Sequence, residues 1–517
     1  MKSSTFTTSL TGLVLLLMAN ASFGAITEPV RLDAGLVSGV AGVEAGVRVF
    51  KGIPYAAPPV GELRWRAPVP PAAWEGVRKA DQFSAICPQV LPATNSFYGE
   101  EYFLGPQPPM SEDCLYLNVW TAATSAAERR PVMVWIHGGG NVQGYGSEPC
   151  FDGEAFARKG VVLVTINYRL NIFSCFAHPE LSGESALHVS GNYGELDQIA
   201  ALQWVRRNIA AFGGNPTNVT IFGQSSGGAS VNRLLVAPMA KGLFQKAICE
   251  SAAVWNSRDS KAALAEMEKR GVQFAATNGV HTLKELRALS ASALLDGFAK
   301  IRFDPNVDGW VLPDLAVNIF ARGGQAAVPM LLGSTADEGQ FTPVKAAMFR
   351  ADIQKRFGAA ADDCLKLYPA GSDAEAAQSK HDERRDESAA GERAQAAAQA
   401  ALGQPVWLYY FDRPPPGHDR ERYGAFHAAE LEYVFNTLGA TDRPWEDSDR
   451  QLAGRMISYW VNFAATGNPN GPGLPAWPAY DPKTDRTMEL GARAGERPVP
   501  NRAQLDFLKG FLDREAR

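Results

Sequence analysis

Six short apolar stretches stand out along this chain, at residues 131–136, 161–167, 218–223, 245–250, 327–332 and 406–411. Each has strand length, and most run into glycine or polar turn residues. Between them lie segments whose apolar positions recur at helical spacing, notably 193–212, 226–236 and 450–466. Strands that alternate with helices predict the α/β class: a mostly parallel central sheet with helices on both faces. Residues 255–325 and 340–400 are richer in helical pattern and are expected to form lid and pocket-wall insertions. The alanine-rich run 388–402 reads as a helix rather than disorder.

Two strand ends carry candidate chemistry. Residues 221–230 read Ile-Phe-Gly-Gln-Ser-Ser-Gly-Gly-Ala-Ser, a Gly-x-Ser-x-Gly between an apolar strand and a small-residue helix start. That context predicts a tight strand-to-helix turn that lifts the Ser225 hydroxyl clear of the sheet. Gly223 and Gly227 remove the Cβ atoms that would clash there. Upstream, the strand 131–136 runs into His137-Gly138-Gly139-Gly140-Asn141. A glycine triplet at the end of a buried strand suits backbone N–H groups that must approach a ligand closely, as an oxyanion hole requires.

A serine nucleophile needs a base and an acid, and in this strand–turn–helix arrangement they follow in the order acid, then histidine. Of seven histidines, His281, His381, His418 and His427 lie downstream. His381 and His418 sit in charged stretches expected to be solvated, and His281 begins a polar segment. His427 follows the strand 406–411 on a loop before an aromatic-rich helix, the best place for a positioned base. Strand 327–332 leads into Ser334-Thr335-Ala336-Asp337-Glu338-Gly339, and spacing leaves Asp337 and Glu338 equally open as the acid.

These blocks resemble the type B carboxylesterase and cholinesterase group of α/β-hydrolases, from about Val37 to Tyr480. The resemblance is carried by Phe50-Lys51-Gly52-Ile53-Pro54-Tyr55, Ser111-Glu112-Asp113-Cys114-Leu115, Asn167-Tyr168-Arg169-Leu170, Gly191-Asn192-Tyr193-Gly194 and Phe212-Gly213-Gly214-Asn215-Pro216, besides the serine motif. It implies an α/β-hydrolase fold and a serine esterase with Ser225, Glu338 and His427 as its triad. It implies an oxyanion hole from Gly139, Gly140 and Ser226, and a disulfide between Cys87 and Cys114. No metal or organic cofactor is implied, and the expected partner is a small-molecule ester. A non-catalytic binding module, or an acyltransferase or amidase with the same triad, are the alternative readings.

Some positions depart from the family pattern. Ser226 stands where many relatives carry Ala, and Asn141 where an aromatic is usual. The segment between Cys87 and Cys114 has Phe97, Tyr98, Tyr102 and Phe103 but no Trp, which argues against choline esters. Cys150, Cys175, Cys249 and Cys364 read as buried thiols, with a Cys150–Cys175 bridge left open.

Composition narrows the rest. The chain has 517 residues, 46% hydrophobic and 20% charged, with a formal net charge of −5 and no basic run, so nucleic acid is not an expected partner. Residues 1–24 read as a secretory signal, with Lys2, an apolar Leu10–Ala19 and small residues around the cleavage point. Export to the periplasm or medium is therefore expected, with 25–517 as one catalytic domain and no stable membrane insertion of the mature chain. Oligomeric state is not specified. The charged stretch 381–394 is expected to be a solvated helical face, with a place at the pocket entrance as the alternative.

Overall fold

The computed structural model describes residues 26–93, 107–255, 262–339, 342–417 and 420–515, with Met1, Ser96 and Gly99. The expected leader and the aromatic residues Phe97, Tyr98, Tyr102 and Phe103 lie outside the described residues.

The molecule is built on an eleven-stranded sheet. Its strands are β1 (Val40–Ala41), β2 (Arg48–Pro54), β3 (Tyr116–Thr121), β4 (Arg130–Ile136), β5 (Val162–Ile166), β6 (Gly214–Gln224), β7 (Lys246–Glu250), β8 (Met330–Thr335), β9 (Val406–Phe411), β10 (Arg486–Leu490) and β11 (Gly495–Pro498). They lie side by side in the order β11-β10-β9-β8-β7-β6-β4-β5-β3-β2-β1. Pairing is parallel from β10 through to β5 and antiparallel at both margins. A smaller three-stranded sheet flanks it near the N-terminus.

The central strands are buried along most of their length because both faces are covered. Side chains still alternate between the faces. Val132, Val134 and Ile136 enter one core with Leu202 and Trp204 of α1 (Tyr193–Asn208) and Leu234 of α2 (Ser226–Val236). Met133 and Trp135 enter the opposite core with Met456, Trp460 and Phe463. The Trp135 ring lies 4.9, 4.8 and 5.0 Å from those of Phe151, Phe222 and Phe435. Each such buried side chain contributes about 1.5–3 kcal/mol over exposure. The predicted insertions are helical, with four helices between Leu264 and Ala321. Three more follow between Ala346 and Ala401, the last being α3 (Asp373–Ala401).

Four expectations are corrected. The strand foreseen at 327–332 runs from Met330 to Thr335. Gln399 takes the carbonyls of Ala326 and Val328, and β9 extends the ladder to Thr335↔Phe411. The stretch 381–394 is not a solvated face: α3 buries Glu383, Asp386, Glu387, Glu392 and Arg393. Their charges pair inward, Arg356 with Glu383 and Glu387 at 2.5 and 2.8 Å and Arg393 with Asp485 at 2.6 Å. His381 is correspondingly tucked in, its side chain 9% exposed. Finally, Cys87 and Cys114 form no disulfide and are buried free thiols, with Cys114 hydrogen-bonded to Cys87. Their segments are held together without a covalent link, by the Ile86↔Met110 bridge, where the Ile86 N–H donates to the Pro109 carbonyl and the Ser111 N–H donates to the Ile86 carbonyl, both at 2.9 Å. Cys150 and Cys175 are also free, and sit in opposite cores.

A buried ion pair fixes the ground beneath the site. The Arg169 guanidinium meets Asp197 of α1 at 2.7 and 2.8 Å, with both side chains almost fully buried. It anchors residues 167–171. There the Tyr168 hydroxyl donates to the His137 carbonyl at 2.6 Å, and the Asn171 N–H donates to the Asn141 carbonyl at 2.7 Å. Arg169→Met strands the Asp197 charge, and is expected to cost about 3–5 kcal/mol of unfolding free energy in urea titration. An unchanged midpoint would contradict this account of the pair.

Candidate active site

Because β4, β6, β7, β8 and β9 are parallel, their carboxyl ends share one edge of the sheet. The loops there carry the Gly triplet, Ser225, Ser251, Glu338 and His427. Polar side chains predicted from distant stretches therefore meet at this edge.

Ser225 occupies a single-residue turn between β6 and α2, with φ 56° and ψ −126°. A non-glycine residue in such a conformation costs about 1–3 kcal/mol, so its surroundings must hold it. Two close approaches do. A Cβ on Gly227 would stand 2.1 Å from the Ile136 carbonyl oxygen, and one on Gly223 would stand 2.6 Å from it. Only glycine allows the turn to pass so near β4. The Ser225 N–H donates to the Glu250 carbonyl at 2.9 Å.

Gly139 and Gly140 have φ of 101° and 65°. The Gly139 carbonyl accepts from the N–H groups of Val142 and Gln143, both at 3.1 Å. The N–H groups of Gly139, Gly140 and Ser226 have no acceptor among the described residues. The Ser226 hydroxyl accepts from the Asn141 N–H at 3.2 Å and so ties the glycine loop to the start of α2.

Glu338 and His427 come together on adjacent loops. His427 Nδ1 lies 2.5 Å from Glu338 Oε2. The other carboxylate oxygen accepts from the Thr335 N–H at 2.9 Å and its hydroxyl at 3.1 Å. Burial opposes ionisation of Glu338. The charge of His427 and hydrogen bonds from His427, Ser251 and Thr335 outweigh it, holding the carboxyl below its ordinary pKa. An ionised Glu338 makes Nδ1 the donor and Nε2 the acceptor, the tautomer that base chemistry requires. That Nε2 lies 3.2 Å from Gln224 Nε2, beside the serine turn.

Asp337 has a different task. Its carboxylate accepts from the Ala425 N–H at 2.7 Å, its own N–H donates to the Ala425 carbonyl at 3.0 Å, and the two loops form a bridge at Asp337↔Phe426. Asp337 thus fastens the acid loop to the histidine loop. Of the remaining histidines, His281 is exposed, His381 lies 3.6 Å from Asp337, and His418 is outside the described residues.

Gln224, Ser251 and Thr335 belong to the site although no motif marked them. So does a group of buried acids behind Glu338. Burial, followed by the charges of Glu250 and Glu338, raises Glu430 to about 8. Burial alone accounts for Glu250 at about 8, against a hydrogen bond from Trp460 at 2.7 Å. Burial and the charges of Glu338 and Glu430 raise Glu392 well above the ordinary range. Burial thus favours the protonated form of all three, whereas the surroundings of Glu338 favour its ionised form.

Two cavities flank Ser225 and His427. The larger, about 540 Å³, extends from Gly140 and Ser226 toward Arg233, Asp304 and Asn306. The smaller, about 330 Å³, is bounded by the glycine loop, Val142, Phe151 and Leu431.

Sheet, serine turn and loop placement define an α/β-hydrolase. The family model described as "Carboxylesterase family" matches residues 27–508. The chain is 38% identical over 482 residues to a fumonisin B1 esterase of Sphingopyxis macrogoltabida, covering 88% of this chain and 85% of that one. It is 39% identical over 469 residues to a para-nitrobenzyl esterase of Bacillus subtilis, covering 86% and 92%. A solved structure titled as a thermophilic PNB esterase superposes with a TM-score of 0.80 at 36% identity, covering 93% of this chain and 99% of that one. The chain belongs to the Carboxylesterase family, and it is a carboxylic ester hydrolase. Among the described residues no helix is long and apolar enough to cross a membrane.

The buried acids make stability depend on pH. Folded, Glu430 and Glu250 keep their protons up to about pH 8; unfolded, they release them near the ordinary 4.5. Between those limits the unfolded state binds fewer protons, so stability falls as pH rises. Melting temperature should drop from pH 5 to pH 8, and Glu430→Gln should flatten that drop. An identical slope in the variant would refute the assignment.

Proposed function

We propose that the chain is an exported serine esterase that works through Ser225, His427 and Glu338 and an acyl-enzyme intermediate. The observation that carries this reading is the 2.5 Å contact of His427 Nδ1 with an ionised Glu338, with Nε2 turned toward the strained Ser225 turn. His427 Nε2 takes the Ser225 proton as Oγ attacks the ester carbonyl. The tetrahedral oxyanion is received by the N–H groups of Gly139, Gly140 and Ser226, which have no acceptor among the described residues. His427 then protonates the departing alkoxide. In the second half, His427 draws a proton from water as it attacks the acyl-enzyme, and Ser225 is regenerated with release of the acid. Glu338 stabilises the imidazolium in both steps. Its supports at Thr335 and Ser251 fix where that charge sits.

Export rests on the N-terminal pattern of Lys2, the apolar run and the small residues after it. The para-nitrobenzyl group in one relative's name makes p-nitrobenzyl and p-nitrophenyl esters the first substrates to try.

Wild type is expected to hydrolyse p-nitrophenyl acetate and butyrate. Ser225→Ala should abolish burst and turnover, and Glu338→Gln should lower kcat about 10³–10⁴-fold with little change in KM. A folded Ser225→Ala that keeps wild-type kcat would overturn the mechanism. In a secreting bacterial host, N-terminal sequencing should find the mature chain beginning near Gly24 or Ala25. A chain retained in the cytoplasm with Met1 intact would contradict export.

A further inference from the structure

The larger cavity holds polar groups that neither the triad nor the oxyanion loop uses. Arg233 lies eight residues after Ser225 on α2, roughly 12 Å along the helix axis at 1.5 Å per residue. Its Nε stands 2.8 Å from Glu195 Oε1, and its Nη2 donates to the Ser230 hydroxyl at 3.0 Å. The side chains of Arg233 and Glu195 are only 14% and 4% exposed. Arg233 faces the cavity, while Glu195 stands behind it as a fixed counter-charge. A buried ion pair adds little net stability over an apolar pair of the same shape. It does present a guanidinium locked in one orientation.

Two acceptors share that chamber. Asp304 lines it and has no ion pair or hydrogen bond among the described residues. The other lining carboxylates are engaged, Asp314 with Arg322 and Glu338 with His427. Asn306 is 1% exposed and is held by Asn192, whose amide donates to the Asn306 carbonyl at 2.8 Å and whose side-chain oxygen accepts from the Asn306 N–H at 2.9 Å. Its own side-chain oxygen is buried without a partner among the described residues.

This set discriminates between occupants. An alkyl chain would pack against Val254, Leu312 and Val317 but would strip water from Arg233 and Asp304 without replacing its hydrogen bonds. A carboxylate would face the unpaired Asp304, and an ammonium would face Arg233. A neutral group bearing several hydroxyls both donates to Asp304 and Asn306 and accepts from Arg233. We infer that the larger chamber is the subsite for a polyhydroxylated moiety of the ester, with Arg233 as its specificity-determining residue. The inference rests on the Ser225 esterase reading above.

The test compares kcat/KM for matched esters: sorbityl monobutyrate against hexyl butyrate for the alcohol side, and methyl gluconate against methyl hexanoate for the acyl side. Wild type should favour the hydroxylated ester by about tenfold or more in at least one pair. Arg233→Met combined with Glu195→Leu, which removes both charges, should erase most of that preference. Asp304→Ala, at an unpaired and partly exposed loop residue, should reduce it without the folding risk. Preference for the alkyl ester in both pairs overturns the inference. So does a hydroxyl preference that survives Asp304→Ala, or one that survives in a folded double variant. Wild-type turnover of p-nitrophenyl acetate is read alongside. If that is absent the esterase reading itself fails, and this inference with it. If it is present, the paired ratios judge the subsite alone.

Discussion

One backbone conformation governs this molecule: the left-handed turn at Ser225, with φ 56° and ψ −126°. A serine does not hold that geometry unaided. It is held because β6 and α2 pass within van der Waals limits of β4, which leaves no room for a Cβ on Gly223 or Gly227. Parallel pairing of β4 and β6 over Val132↔Val219 to Ile136↔Gly223 sets that crossing. The same pairing puts the Gly138–Asn141 loop beside the serine. Strand register, glycine placement and nucleophile exposure are thus one constraint seen at three scales.

The electrostatics depend on the same edge of the sheet. Four carboxyls gather there, and the fold ionises them unequally. Glu338 receives His427, Ser251 and Thr335. Glu250, Glu392 and Glu430 receive fewer hydrogen bonds, and burial favours their neutral forms. Were all four charged, mutual repulsion would pull Glu338 from its imidazole partner. The arrangement concentrates one negative charge behind one histidine, which is what a base that must become an imidazolium requires.

Much of this is legible from the amino-acid order alone. The six apolar strands, the Gly-x-Ser-x-Gly and the glycine triplet are local signals, and they fall where the structure has them, within a few residues. The sheet margins are not legible. Arg48–Pro54 carries Lys51 and Gly52 in its middle, and its pairing shifts register between Phe50 and Ile53. Asp337 and Glu338 are adjacent on one loop, so spacing leaves them open. The structure separates them, because one carboxylate meets a backbone N–H at Ala425 and the other meets His427. The inward charges of α3 were also hidden. A helix with Glu, Asp and Arg on several sides looks solvated until Arg356 and Asp485, distant in sequence, arrive to pair with it. The cysteines show the reverse: a resemblance put Cys87 beside Cys114, and the structure has them in contact but unbonded.

The most direct test of the central claim is to find which atom the histidine activates. The protein would be treated with diethyl p-nitrophenyl phosphate, digested, and its peptides weighed and sequenced by mass spectrometry. The account predicts stoichiometric loss of activity with a single diethylphosphoryl group on Ser225, and no labelling once His427 is replaced by Ala. Inactivation with the adduct on another residue, or equal labelling of Ser225 without His427, would contradict it.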